Sequence, residues 1–95
     1  MTKEIILDAL RAHSKELQNR FTVRRIGIFG SHARGDVGLE SDIDVVVEFD
    51  QPTFDHYMDL KFFLEQLLSK KVDLVMADTI KPRLQPYINQ EVIYA

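Results

Sequence analysis

The chain opens on a helical rhythm. Ile5, Ile6, Ala9, Leu10, His13 and Leu17 recur near a period of 3.6 between Thr2 and Asn19, which predicts an amphipathic helix with one apolar stripe. Thr2 is placed to cap its first turn, and Asn19 stands where a helix can end. From Arg25 to Phe29, with Val23 just ahead, β-branched and aromatic residues replace that rhythm and predict a strand. Gly30-Ser31 stops it, and a polar loop with further glycines is expected as far as Ser41. Ile43 to Phe49 reads Ile-Asp-Val-Val-Val-Glu-Phe, a second strand broken at Pro52. Tyr57, Met58, Leu60, Phe63, Leu64, Leu67 and Leu68 predict another amphipathic helix from Phe54 to Ser69, and Val72 to Met76 a short third strand. Pro82 and Pro86 limit any helix between Ile80 and Gln90 to a short one, or one that starts at a proline. Helix and strand alternate without a break in composition, so the 95 residues predict one α/β domain built on a small sheet.

Composition narrows the classes. With 45% hydrophobic and 28% charged residues the chain has enough apolar surface to fold and is not a disordered segment. No run approaches the roughly 20 apolar residues of a membrane span, and the amphipathic start carries charges unlike a signal peptide. No membrane association is expected. The absence of cysteine excludes disulfides, thiolate zinc sites and a cysteine nucleophile, and a cytoplasmic location is expected. A net charge of -3 argues against a protein that binds nucleic acid by blanket phosphate neutralisation. The basic clusters Arg24-Arg25, Lys70-Lys71 and Lys81 with Arg83 are short and read as solvated surface.

Three features carry candidate chemistry: Gly30-Ser31 closing the first strand, Asp42-Ile43-Asp44 opening the second, and Asp73 inside the third. Side chains alternate along a strand, so Asp42 and Asp44 point the same way, opposite to Ile43, Val45, Val47 and Phe49. On the third strand Asp73 opposes Val72, Leu74 and Met76. If these strands are neighbours, one sheet face is apolar and the other collects three carboxylates. Like charges about 4 Å apart repel by roughly 4 kcal/mol at an effective dielectric near 20. Such a cluster needs a cation, and hard oxygen ligands select Mg²⁺ or Mn²⁺ over zinc. Gly30 allows close backbone approach to a phosphate, the Ser31 hydroxyl and the following amides can hold its oxygens, and Arg34 can add a charge-assisted contact. Two rival motifs fail. Gly30 to Gly35 has P-loop glycine spacing, but Asp36 and Val37 stand where lysine and serine or threonine are required. An EF-hand is excluded because Val46 follows Asp44 at the third ligand position.

Taken together these residues resemble a known family. Gly30-Ser31, ten intervening residues and Asp42-x-Asp44 match the nucleotidyltransferase signature shared with DNA polymerase beta. The string Gly-Ser-His-Ala-Arg-Gly, followed by Ser-Asp-Ile-Asp-Val, resembles the minimal nucleotidyltransferase (MNT) subfamily of small antitoxins encoded beside HEPN-domain toxins. The resemblance implies a polymerase beta-like fold: a small mixed β-sheet flanked by helices, as a single minimal domain over residues 1–95. It implies that Gly30 and Ser31 bind the triphosphate of ATP and that Asp42 and Asp44 bind two Mg²⁺ ions, with Mn²⁺ an alternative. Asp73 would be the third carboxylate of the metal site and would assist deprotonation of the acceptor hydroxyl; Arg34, which matches the string, would join the nucleotide site. In related modules AMP passes from ATP to a tyrosine of the HEPN ribonuclease, so a hetero-oligomer with a HEPN-domain toxin is expected. The small size leaves no room for an acceptor-binding domain, which suggests that a macromolecular partner supplies the acceptor. The other readings are an antitoxin that blocks its toxin sterically and a stand-alone transferase for a small molecule. Of the remaining residues, His13 is expected to be packed, His56 structural or solvated, and the Phe62-Phe63 pair core and partner surface; His32 could touch substrate, Glu48 shares the parity of Asp44 at a distance, and Asp36, Glu40, Asp50 and Asp78 are expected in solvated loops.

Overall fold

A computed structural model describes residues 1–35 and 42–95. The N-terminal amphipathic segment is two helices: α1 (Lys3–Ala12) and α2 (Ser14–Phe21). Thr2 caps α1 as expected, its hydroxyl accepting the Ile5 amide at 3.3 Å. The break falls at His13. Its ring Nδ1 donates to the Ala9 carbonyl at 2.9 Å, while its backbone amide bonds to Leu10 one residue nearer, at 3.3 Å. The imidazole thus takes the carbonyl that an unbroken helix would give to the backbone. His13 then stacks edge-on against Phe63, which also packs on Phe21, so the corner between α1 and α2 is held by aromatic contact.

Thr22 ends α2 in a left-handed conformation, and β1 (Val23–Phe29) follows. α3 (Gly30–Arg34) is a single short helix where the sequence predicted only loop. β2 (Ile43–Phe49), α4 (Phe54–Leu68) and β3 (Val72–Met76) fall within a residue of their expected limits. A 3₁₀ turn at Ala77–Thr79 leads to α5 (Gln85–Glu91), which carries Pro86 in its first turn where a missing amide costs nothing, and then to the two-residue strand β4 (Ile93–Tyr94). The expected loop positions Asp36 and Glu40 lie outside the described residues.

The sheet runs β3-β2-β1-β4, with β2 and β3 parallel and the other neighbours antiparallel. It is mixed, and α4 supplies the crossover that a parallel pair requires. One face is the core. Ile6 and Leu10 of α1, Leu17 and Phe21 of α2, and Leu60, Leu64 and Leu68 of α4 pack on Ile28, Ile43, Val45, Val47, Val72 and Leu74. The four-residue spacing in α4 puts its three leucines on one stripe. Burying each aliphatic side chain contributes about 1.5–3 kcal/mol before the entropy of ordering is set against it. A bulge between Val23 and Arg25 resets the parity of β1, so Val23 and Ile26 both face inward while Arg24 and Arg25 both reach solvent. Those arginines pair with Asp50 and Glu48, each at 2.8 Å. No helix among the described residues is long and apolar enough to cross a membrane.

Candidate functional site

The opposite face of the sheet carries the acidic residues, and strand register brings them together. Phe29 of β1 lies across from Asp44 of β2, and Asp44 lies across from Asp73 of β3. Strands neighbour one another at about 4.8 Å, so the two carboxylates start side by side on one face. Asp42, exposed immediately before β2, shares their parity. Gly30 follows Phe29 directly, so the Gly30-Ser31 bend opens at the end of this row.

Gly30 must be glycine on two counts. Its φ is +71°, and a Cβ there would overlap the Asp44 carboxylate oxygen. Backbone and acid therefore share a wall with no side chain between them. Ser31 is partly buried in the first turn of α3, and Arg34, at the end of that helix, is exposed. The Arg34 guanidinium donates to Glu91 Oε1 at 2.6 Å, and Glu91 Oε2 accepts the Gly30 amide at 3.2 Å. Glu91, the last residue of α5, was not singled out by the sequence. It has no motif around it, and only the pairing of β4 with β1 brings it here.

The electrostatics of Asp44 reflect its neighbours. Burial raises its carboxyl above the ordinary value, and the negative charges of Asp73, Asp42 and Glu91 push the same way while Arg34 opposes them. Among the described residues no three His, Cys, Asp or Glu side chains close tightly enough around a point to hold a metal ion. Asp42, Asp44 and Asp73 form a row rather than a cage. The donor set nevertheless fits a hard divalent cation: all ligands are carboxylate oxygens, and the unfavourable charge on Asp44 is the kind that such an ion relieves.

Other candidates resolve differently. His32 is wholly buried in α3, with its Nε2 3.5 Å from Lys70 Nζ. Burial, reinforced by Lys70, lowers its pKa, so the ring packs as a neutral group rather than facing a substrate. Glu48 is held by Arg25, and Arg25 also donates to the Tyr94 hydroxyl at 2.8 Å. These three residues line a cavity of about 440 Å³ at the far end of the acidic face; no carboxylate of the Asp42–Asp44–Asp73 row borders it. His56 bonds to the Gln51 carbonyl at 2.7 Å and is structural. Phe63 is partly buried and packs against the core, whereas Phe62 stays exposed.

Comparison with known proteins decides the family. The model of the nucleotidyltransferase domain matches residues 10–95. The chain belongs to the nucleotidyltransferase family. This nucleotidyltransferase is 42% identical over 95 residues to the protein adenylyltransferase MntA of Thermococcus cleftensis, covering 99% of this chain and 96% of that one. A solved structure assigned to the minimal nucleotidyltransferases superposes with a TM-score of 0.74 at 35% identity, covering 92% and 93% of the two chains. A second, the complex of a tri-AMPylated Shewanella oneidensis HEPN toxin with its MNT antitoxin, shares the fold with a TM-score of 0.68 at 17% identity, over 98% of this chain and 71% of that one. The mixed four-stranded sheet is thus the minimal nucleotidyltransferase fold, as the resemblance implied.

Proposed function

We propose that this nucleotidyltransferase is the antitoxin of a two-component module and transfers AMP from ATP to a tyrosine hydroxyl of a HEPN-domain ribonuclease, which it thereby neutralises. The observation that carries the reading is the row of Asp44 and Asp73 beside the Gly30-Ser31 bend, with Asp42 two residues away on the same parity. The 42% identity to a protein adenylyltransferase supports protein as the acceptor. The AMPylated HEPN toxin in a complex of the same fold supports the partner.

In this reading Gly30 lets the triphosphate approach the backbone closely, the Ser31 hydroxyl and the amides that follow Gly30 hold its oxygens, and Arg34 orients them. Asp42 and Asp44 would hold two Mg²⁺ ions (Mn²⁺ as alternative), with Asp73 as third ligand; the ions would supply Lewis-acid stabilisation of the α-phosphate and the leaving oxygen. Asp73, exposed at the edge of the row, accepts or relays the proton of the incoming hydroxyl. The tyrosine oxygen bonds to the α-phosphorus, the bond to the β-phosphate oxygen breaks, and pyrophosphate leaves.

Intact-mass spectrometry of a HEPN partner incubated with the protein, ATP and Mg²⁺ tests this. Addition of AMP units, lost in Asp42→Asn and Asp44→Asn, is the expected result. A partner that is inhibited yet unmodified would instead establish steric neutralisation. Transfer to small molecules in place of protein would establish the third alternative.

A further inference from the structure

Glu91 sits where strand pairing sets it. β4 runs antiparallel to β1, with Ile93 across from Ile28; carrying that register two residues further puts Glu91 opposite Gly30. Its carboxylate uses both oxygens. One accepts the Gly30 amide at 3.2 Å and the other accepts Arg34 at 2.6 Å. Gly30 and Arg34 are the two ends of α3, so a single side chain spans the helix that carries Ser31. The Arg34 and Glu91 side chains are 48% and 31% exposed, too wet for the ion pair by itself to add much stability. Its consequence is geometric: it fixes where the bend and the guanidinium point.

We propose that Glu91 is a positioning residue for nucleotide binding, acting through Arg34 and the Gly30 amide to hold the bend in the orientation that receives the triphosphate. This rests on the nucleotide site proposed above but not on the identity of the acceptor. The nearest physical alternative is that the carboxylate occupies the place of a phosphate and must be displaced. The two differ in sign. Removing a positioning group weakens nucleotide binding; removing a competitor tightens it.

The experiment is a double-mutant cycle of Arg34→Ala and Glu91→Ala, read as the dissociation constant of Mg²⁺ with a non-hydrolysable ATP analogue and, where transfer occurs, as KM and kcat for ATP. Glu91→Ala is expected to weaken analogue binding and raise KM about tenfold, the scale of misplacing a charge-assisted contact, with kcat within about threefold. The losses are expected to be less than additive, because the part of Glu91's effect that runs through Arg34 is already gone in Arg34→Ala and only its contact with the Gly30 amide remains to be lost. Glu91→Gln, which keeps one acceptor oxygen, should fall in between. Glu16→Ala, which removes the same charge from the Arg20–Glu16 pair on α2, should leave affinity unchanged, and melting curves establish that each variant is folded. Tighter binding in Glu91→Ala, an unchanged constant, or additive losses in the cycle would each overturn the proposal. Analogue binding without AMP transfer to any HEPN partner would sink the proposed activity and leave the Glu91 result standing. An unsubstituted protein that binds no nucleotide overturns both.

Discussion

At the scale of single residues, Asp44 is the most constrained side chain of the site. It has a carboxylate at its flank, another two residues before it, and the Gly30 backbone against its oxygen. Burial first, and then Asp73 and Asp42, raise its pKa above the value it has in an unfolded chain. A raised carboxyl favours folding while protonated, and that contribution is lost as pH rises through the folded value. Once ionised, the group therefore opposes the fold. Asp44→Asn is expected to raise the melting temperature of the metal-free protein, by roughly 2–5 °C on the scale on which small domains respond to less than 1 kcal/mol. On the proposed function the same variant should also abolish any rise in melting temperature on adding Mg²⁺, together with AMP transfer. Calorimetric scans with and without Mg²⁺ check both; a fall in the metal-free melting temperature would show that Asp44 is not under like-charge strain.

At the scale of elements, β4 is the piece that brings Glu91 to the acidic face. It pairs with β1 across Gly27, where a Cβ would come within 2.7 Å of the Ile93 carbonyl oxygen and 2.9 Å of the Tyr94 ring. Gly27→Val is expected to push β4 away from the sheet at a cost of about 1–3 kcal/mol, the usual range for overpacking. Hydrogen exchange should then speed up at the Ala95 amide, which bonds to Ile26 at 2.9 Å, before it does in β2. The sequence displays β4 poorly because two residues carry no periodicity, and their pairing is with a strand more than sixty positions earlier. β2, β3 and α4 were legible because their patterns are dense and each buries one clear face. The break at His13 was not, because a helical period continues across it while the ring diverts one carbonyl. The site divides the same way. Asp44 and Asp73 could be paired from alternation once β2 and β3 were taken as neighbours, whereas Glu91 depends on a register that local pattern does not encode.

At the scale of the whole molecule, His32 ties stability to pH. Its burial and the nearby Lys70 depress its pKa below the ordinary histidine value of about 6.5. As pH falls through that value the unfolded chain takes up a proton that the folded ring refuses, so the fold loses stability between the unfolded and folded pKa values. Asp44 works in the opposite sense, because its raised carboxyl is protonated sooner in the folded chain than in the unfolded one as pH falls. The melting temperature is expected to drop from pH 7.5 to pH 5.5, and His32→Gln should flatten that slope whatever it does to the absolute value. A pH series of melts on both proteins measures it; identical slopes would show that His32 does not contribute.

The molecule measures 32 × 31 × 19 Å, with its three longer helices layered on one side of the sheet and the exposed Asp42 and Asp73 on the other. On the proposed function, a residue projecting from another protein's surface could be laid flat against so shallow a plate, whereas the described residues would offer a small free substrate few walls to orient it. The thinness of the slab would then select acceptors by how they are presented.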